Sequence, residues 1–264
     1  MPVANRPHLL KHEGFRSRFL KDARDLIVYL PPGYDESGGR RYPVLYLQDG
    51  QNLFDGETAY VPGMDWHVGE TADRWIESGE VEPLIIVGIY HAGPRRIEEY
   101  TPTRVRRLGG GKADVYGRML IEEILPFIGM RYRTAGGPER TGLGGSSLGG
   151  LAAMYLGLRY AAVFGKLAVL SPSVWWGQRE ILRIVRKAPL EQRPKVWLDI
   201  GGEESARAVA DVALLRDALL ERGWAPGRDL HYAVVERAAH NEAAWGERVG
   251  DFLKFLFPAR GPGL

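Results

Sequence analysis

The sequence predicts an α/β fold with a mostly parallel central sheet and helices on both of its faces. From about residue 42 onward, apolar runs of strand length alternate with longer segments whose apolar residues recur at helical spacing. This alternation is typical of parallel strands joined by helical crossovers. Before residue 42, two short strands at residues 15–20 and 25–30 flank a turn near Asp22. We expect them to form a hairpin that extends one edge of the sheet antiparallel.

The individual elements follow from buried runs and from helix boundary signals. Further strands are predicted at residues 42–48, 84–90, 140–143, 164–170, 195–200 and 230–236. Helices are predicted at residues 65–78, 114–128, 148–158, 179–187, 205–222 and 242–257. Asp65 is in position to cap the first of these helices. Pro31 ends the second early strand, because proline supplies no hydrogen-bond donor to a sheet.

Composition restricts the classes of function that need to be considered. The chain has 264 residues with a formal net charge of +2, which favours one domain, residues 1–264, with an ordered core at about residues 15–257. It contains no cysteine, which excludes a disulfide scaffold, a thiolate metal site and a cysteine nucleophile. The first residues lack the apolar segment of a signal peptide, and no apolar run reaches the roughly 18 residues of a membrane span. We therefore expect a cytoplasmic protein without a membrane partner.

Two further classes of ligand are disfavoured by local sequence. Basic residues are scattered, and the dense group formed by Arg104, Arg106 and Arg107 is interpreted as a solvated loop, so no nucleic-acid partner is expected. Residues 142–147 begin like a dinucleotide-binding fingerprint but end in serine, and residues 111–113 lack the Ser or Thr of a P-loop. No cofactor and no metal ion are expected.

A nucleophile is predicted at Ser147. Residues 145–149 match the pattern G-x-S-x-G, with a short strand before it and an apolar helix after it. This strand–turn–helix setting is that of a nucleophile elbow in an α/β-hydrolase fold. The turn is sharp and needs small neighbours, and Gly144, Gly145, Ser146 and Gly149 are all small. The alternative is a glycine-rich turn that only packs a helix tightly on a strand.

A serine hydroxyl needs a base, and in this fold the chain order is serine, acid, histidine. His231 and His240 are the histidines downstream of Ser147. His231 falls inside the last predicted strand, where a structural role is expected. His240 follows that strand at its carboxyl end, where open α/β sheets place their active sites. His240 is therefore the predicted base, and a capping or surface histidine is the alternative.

The acid should follow the preceding strand, residues 195–200. Glu204 is the first choice, Asp199 is the rival although it falls inside the strand, and Glu203 is third. The alternative for all three is a solvated helix N-terminus, where carboxylates are common. The amides of Leu148 and of a residue near Gln51 are the expected oxyanion donors, with Gly50 allowing close approach.

Five stretches of the chain together match a known family: residues 28–34 (VYLPPGY), 42–55 (YPVLYLQDGQNLFD), 99–102 (EYTP), 144–150 (GGSSLGG) and 171–176 (SPSVWW). On these residues the chain resembles the esterase family that includes esterase D, enterochelin esterases and feruloyl and acetylxylan esterase domains, with mycolyltransferases of the antigen 85 group as relatives. The resemblance covers about residues 15–257.

The resemblance implies a triad of Ser147, Glu204 and His240 and an oxyanion hole formed by the Gln51 and Leu148 amides. Gly202 stands where the family usually has threonine, and His91 stands where it often has asparagine.

The predicted function is that of a serine esterase acting on a small-molecule ester. Trp175 and Trp176 either wall the substrate pocket or form a buried aromatic pair. Arg95 and Arg96 either attract an anionic substrate or lie on the surface. Acyl transfer to an alcohol or sugar and a non-catalytic binding module are the rival functions. The sequence does not determine the oligomeric state, and a homodimer is one of the states compatible with it.

Overall fold

The alternating apolar runs of the sequence form a central sheet in the computed structural model, which describes residues 8–189 and 191–259. The strands are β1 (Leu9–Phe15), β2 (Arg24–Tyr29), β3 (Val44–Gln48), β4 (Ile85–Ile89), β5 (Arg104–Val105), β6 (Gly109–Gly110), β7 (Thr141–Ser146), β8 (Lys166–Leu170), β9 (Lys195–Gly201) and β10 (Leu230–Val235). The helices are α1 (Val68–Glu77), α2 (Arg96–Tyr100), α3 (Ala113–Met119), α4 (Leu125–Arg131), α5 (Leu148–Arg159), α6 (Trp176–Lys187), α7 (Ala206–Glu221), α8 (Glu242–Gly246) and α9 (Val249–Leu256).

Among the described residues, eight strands form the main sheet, in the order β1-β2-β4-β3-β7-β8-β9-β10. Strand β1 pairs antiparallel with β2, and β2 pairs antiparallel with β4. The pairs from β4 through β3 to β10 are all parallel. The predicted fold class, a mostly parallel sheet with an antiparallel N-terminal hairpin at one edge, is confirmed. Strands β5 and β6 form a separate two-stranded ladder.

Helices bury both faces of the sheet. Alternate residues of a strand point to opposite faces, and β3 divides accordingly: Val44 and Tyr46 belong to one apolar cluster, Leu45 and Leu47 to the other. Helices α3 to α7 supply side chains to the first cluster, and α1 and α9 supply the second. Parallel strands covered on both faces bury nearly every residue, and β3, β4 and β7 are buried throughout.

The first strand was predicted in the wrong place. Strand β1 covers Leu9–Phe15 instead of residues 15–20, and residues 16–20 form bends that connect the hairpin. An edge strand has one neighbour, and β1 is mostly exposed, so its apolar signal is weak. Gly14, at φ 66°, also interrupts its pairing register with β2.

Three helices also differ from the sequence-based prediction. Helix α1 begins at Val68, and its N-cap is His67 and not Asp65, whose carboxylate instead accepts the His67 amide. The predicted helix at residues 114–128 contains a π-helical segment, Leu120–Ile124, between α3 and α4. The predicted helix at residues 242–257 is broken into α8 and α9.

Candidate active site

Three neighbouring strands of the sheet end in residues with positive φ. Asp49 follows β3 at φ 57°, Ser147 follows β7 at φ 56°, and Ser171 follows β8 at φ 41°. Non-glycine residues rarely adopt this conformation, and where they do they often lie at functional sites. Because these strands are parallel, all three residues lie at the same carboxyl edge of the sheet, where open α/β sheets bind ligands.

Ser147 lies on the sharp turn between β7 and α5, with φ 56° and ψ −120°. Its amide donates to the Leu170 carbonyl at 3.0 Å, which fixes the turn against the next strand. The small neighbours are required by packing: a Cβ atom at Gly145 would lie 2.9 Å from the Gln48 side chain, and one at Gly149 would lie 3.0 Å from it. The glycines of the motif therefore allow α5 to start directly above β3.

The structure brings Ser147, His240 and Glu204 together. His240 Nε2 lies 3.0 Å from Ser147 Oγ, and His240 Nδ1 lies 2.7 Å from Glu204 Oε2. An ionised carboxylate can only accept hydrogen bonds, so Nδ1 carries a proton and a neutral imidazole leaves Nε2 free to accept from the serine hydroxyl. The His240 side chain is 45% exposed, whereas that of Glu204 is 4% exposed.

Glu204 is held by hydrogen bonds on both of its oxygens. Oε1 accepts from Ser171 Oγ at 2.6 Å and from the Gly201 amide at 3.1 Å. Burial raises the pKa of Glu204, but the hydrogen bonds from His240 and Ser171 outweigh it and bring the pKa below its ordinary value. The carboxylate is therefore kept ionised opposite His240.

Asp199 and Glu203, the rival acids, are not hydrogen-bonded to His240 among the contacts of the described residues. Asp199 is fully buried inside β9, where it pairs with Arg248 Nη1 at 2.7 Å and accepts from Trp197 Nε1 at 2.7 Å. Burial raises its pKa to about 6, although Arg248 opposes this shift. Glu203 donates its amide to the Ala238 carbonyl.

The two expected oxyanion donors are both at the carboxyl edge of the sheet. Leu148 is the first residue of α5, and the amides of a helix's first turn have no partner within the helix. Gln51 lies in a 3₁₀ turn, Gly50–Asn52, and lines the cavity that contains Ser147. A Cβ atom at Gly50 would lie 2.5 Å from the Gly88 backbone, so Gly50 allows this turn to pack on β4. Their role as oxyanion donors stays a prediction.

A cavity of about 630 Å³ opens above Ser147 and His240. Its lining residues are Asp49, Gln51, Asn52, Tyr60, Val61, His91, Gly93, Pro94, Arg96, Ile97, Ser146, Ser147, His240, Asn241, Glu242 and Trp245. Arg96 forms a two-pronged ion pair with Asp49, at 2.8 and 2.7 Å. Arg95, the other arginine that the sequence suggests for an anionic substrate, pairs with Asp22 and is not among the residues that line this cavity.

The prediction that Trp176 walls the substrate pocket is wrong. Trp176 is 1% exposed, packs in the apolar core and donates its indole N–H to the Thr103 carbonyl at 2.9 Å. Of the two interpretations of Trp176, the buried one is therefore correct. The ring can be buried because its indole N–H has a hydrogen-bond partner on the backbone. Trp175 is 45% exposed and is not among the residues that line this cavity. A substrate contact for Trp175 stays a prediction.

Three side chains that lie next to Ser147, His240 and Glu204 are not identified from the sequence. Ser173 Oγ lies 3.3 Å from Ser147 Oγ, Ser171 holds Glu204, and Trp245 donates its indole N–H to Ser171 Oγ at 3.1 Å. A signal existed for the two serines, because they directly follow β8, the strand beside β7. Trp245 lies in a helix and carried no such signal.

Two absences hold for the described part of the chain. No group of three or more His, Asp or Glu side chains there is arranged to hold a metal ion. No helix among residues 8–189 and 191–259 is long and apolar enough to cross a bilayer.

The sheet order, the helices on both faces and the elbow between β7 and α5 define an α/β-hydrolase fold. The model of a family described as "Putative esterase" matches residues 17–256. The chain belongs to this esterase family, and the prediction that it is an esterase is confirmed.

Individual relatives differ in how much of the chain they match. "Uncharacterized protein YbbA" of Bacillus subtilis (strain 168) is 30% identical over 249 residues, which cover 89% of this chain and 92% of YbbA. The iron(III) enterobactin esterase of Dickeya dadantii (strain 3937) is 27% identical over 152 residues, 53% of this chain and 35% of that protein. The structure of the siderophore hydrolase EstA from Aspergillus nidulans matches with a TM-score of 0.75 over 97% of this chain and 95% of EstA. Because EstA is 22% identical to this chain, the match with EstA shows a shared fold only.

Proposed function

We propose that the protein hydrolyses a carboxylic ester through an acyl-enzyme formed on Ser147. The observation that carries this proposal is the unbroken chain of hydrogen-bonding atoms from Ser147 Oγ through His240 to Glu204, at 3.0 and 2.7 Å. A serine hydroxyl becomes a useful nucleophile when a neighbouring base removes its proton. Serine, imidazole and carboxylate in this order are the arrangement that performs acyl transfer on several unrelated folds.

In the first half of the reaction, Ser147 Oγ attacks the ester carbonyl carbon while His240 Nε2 takes the hydroxyl proton. The carbonyl oxygen becomes an oxyanion, which the Leu148 and Gln51 amides stabilise in this proposal. The tetrahedral intermediate then collapses, the bond to the alcohol oxygen breaks, and His240 returns the proton to the leaving alcohol. Glu204 keeps Nδ1 protonated throughout and stabilises the imidazolium.

In the second half, water replaces the alcohol. His240 Nε2 takes a proton from the water as the water oxygen attacks the acyl carbon. When the second intermediate collapses, the bond between the acyl carbon and Ser147 Oγ breaks, His240 returns the proton to Oγ, and the carboxylic acid is released. The exposure of His240 supports hydrolysis over acyl transfer, because solvent reaches the base directly at 45% exposure. Transfer to an alcohol or sugar requires that water be kept from the acyl-enzyme.

The cavity above Ser147 supports a small-molecule ester as the substrate. Its volume of about 630 Å³ lies within the range of small-molecule sites, roughly 300–1,000 Å³. The enterobactin esterase and the siderophore hydrolase act on siderophores by name, which makes siderophore esters one class to assay beside simple esters. The cytoplasmic location, the single domain and the oligomeric state stay predictions.

The nucleophile is tested by comparing wild type with Ser147→Ala on p-nitrophenyl acetate and butyrate. We expect turnover to fall by roughly 10⁴–10⁶-fold with unchanged thermal stability, because a triad without its serine retains little of its rate enhancement. Added glycerol or glucose, with acyl products resolved by mass spectrometry, separates hydrolysis from transfer. Equal turnover in both proteins would exclude Ser147 as the nucleophile and with it the proposed mechanism.

A further inference from the structure

Ser171 is a buried serine that does not react in the proposed mechanism. It directly follows β8 at φ 41° and does not line the cavity above Ser147. Its amide donates to the Asp199 carbonyl at 2.9 Å, which fixes the backbone at this point. Its hydroxyl lies 2.6 Å from Glu204 Oε1, on the opposite side of the carboxylate from His240.

The direction of the Ser171 hydroxyl proton follows from its second partner. Trp245 Nε1 lies 3.1 Å from Ser171 Oγ, and an indole N–H can only donate a hydrogen bond. Ser171 Oγ must therefore accept from Trp245, so its own proton is directed to Glu204. The indole donor and the carboxylate acceptor thus fix the orientation of the hydroxyl from both sides.

The same contacts determine how the carboxylate of Glu204 is turned. With Ser171 Oγ and the Gly201 amide both donating to Oε1, Oε2 is left to accept from His240 Nδ1. Trp245 also packs edge-on against the imidazole, with ring centroids 4.9 Å apart. One residue of α8 therefore contacts both the base and the support of the acid.

We propose that Ser171, oriented by Trp245, is a positioning residue that fixes the Glu204 carboxylate against His240. This inference rests on the proposed function, because it concerns the same triad. It assigns to Ser171 and Trp245 a part in catalysis without contact to the substrate's reacting atoms.

The first measurement is the steady-state kinetics of Ser171→Ala. A hydrogen bond to a charged group has a net strength that corresponds to about 10-fold to 100-fold in rate, so we expect kcat to fall by that factor with little change in KM. Ser171→Gly removes the same hydroxyl at a positive φ that glycine adopts without strain, so an equal loss in both variants, with melting temperatures near that of wild type, excludes backbone strain and unfolding as the cause. Ser78→Ala, an exposed serine at the end of α1, is the matched control and should keep the wild-type rate.

The second measurement is the pH profile of kcat/KM, which a purely structural role would not move. Without the Ser171 hydroxyl the Glu204 charge is less dispersed and stabilises protonated His240 more strongly, so the acid limb should move to higher pH. The other charged or titratable groups around Glu204 and His240 lie in two places. Asp199 and Arg248 lie behind Ser171, and Asp49, Tyr60, His91, Arg96 and Glu242 line the cavity. None of these groups is changed in the variants.

The third measurement is a double-mutant cycle. Trp245→Phe keeps an aromatic ring beside His240 but removes the donor to Ser171, and we expect a smaller loss of kcat, about 3-fold to 10-fold. In the Ser171→Ala background the same change should cost no further activity, because its effect passes through the missing hydroxyl. Ser147→Ala is assayed in parallel: activity in that variant would overturn the proposed function. If Ser147→Ala is inactive but the Ser171 variants keep both kcat and the acid limb, the positioning role alone is overturned.

Discussion

Asp199 lies inside strand β9 and Glu204 lies just beyond its end, and the two carboxylates are held in opposite ways. Asp199 is surrounded by Arg248 and Trp197 in the core, and burial raises its pKa to about 6. Glu204 is also buried, but donors on both oxygens keep its pKa below its ordinary value. Burial and a charged partner therefore do not identify the acid of the triad. Glu204 is the candidate acid because it lies past the end of the strand, within hydrogen-bond reach of His240.

The largest expected effect is a loss of catalytic activity when Glu204 is changed but not when Asp199 is changed. Glu204→Gln keeps the shape of the side chain, but its amide can donate to His240 Nδ1 and so favours the wrong tautomer. We expect kcat to fall by about 10⁴-fold with a small change in melting temperature, measured with p-nitrophenyl butyrate and by thermal unfolding. Asp199→Asn, assayed in the same way, should retain most of the activity. A greater loss in the Asp199 variant would reverse the assignment of the acid.

The second effect is on the free energy of unfolding, which should fall more when Asp199 is changed than when Glu204 is changed. Asp199→Ala leaves the buried guanidinium of Arg248 without its partner, and breaking a buried pair in this way destabilises proteins by about 3–5 kcal/mol. Urea unfolding should show this loss, whereas Glu204→Ala, which leaves no buried cation, should lose less. Combining Asp199→Ala with Arg248→Met removes both charges and should restore much of the stability. No recovery in the double variant would mean that Arg248 is not the cause.

The smallest effect concerns the pH dependence of stability. An acid whose pKa is raised on folding contributes stability while it is protonated, and this contribution is lost as the pH rises through the folded pKa. For Asp199 the window runs from its ordinary value of 3.8 up to about 6. Between these limits the melting temperature of wild type should fall relative to that of Asp199→Asn as the pH rises. Parallel curves for the two proteins would contradict the raised pKa.

The sequence predicted the parallel core well and the edges poorly, for a physical reason. Strands such as β3 and β4 are buried on both faces, so nearly every position is apolar and the run is conspicuous. Strand β1 has one neighbour and exposed side chains, and nothing in its residues distinguishes it from a loop. The π-helical segment Leu120–Ile124 precedes Pro126, which has no N–H for the regular helical bond. The sequence shows the proline but not how the helix accommodates it.

The candidate site also contains residues that the sequence predicts and residues that it does not. Ser147, His240 and Glu204 could be chosen because each follows a strand and the chain order of the triad is fixed in this fold. Trp176 could not be placed, because a tryptophan suits a pocket wall and a core equally well until its N–H partner is known. Trp245 lies in α8, 74 residues after its partner Ser171, and Arg248 lies in the turn after α8, 49 residues after its partner Asp199. Only the folded structure brings such distant residues together.

The positive φ values of Asp49, Ser147 and Ser171 set activity against stability. Each such residue in a sparsely populated conformation carries strain of about 1–3 kcal/mol, which glycine would relieve. In the proposed mechanism, glycine at position 147 would remove the nucleophile, and glycine at position 171 would remove the hydroxyl that donates to Glu204. Selection for thermal tolerance alone would therefore favour glycine at two positions where the proposed reaction uses serine. Engineering that stabilises this enzyme without inactivating it has to work elsewhere, at the exposed edge strand and the surface loops.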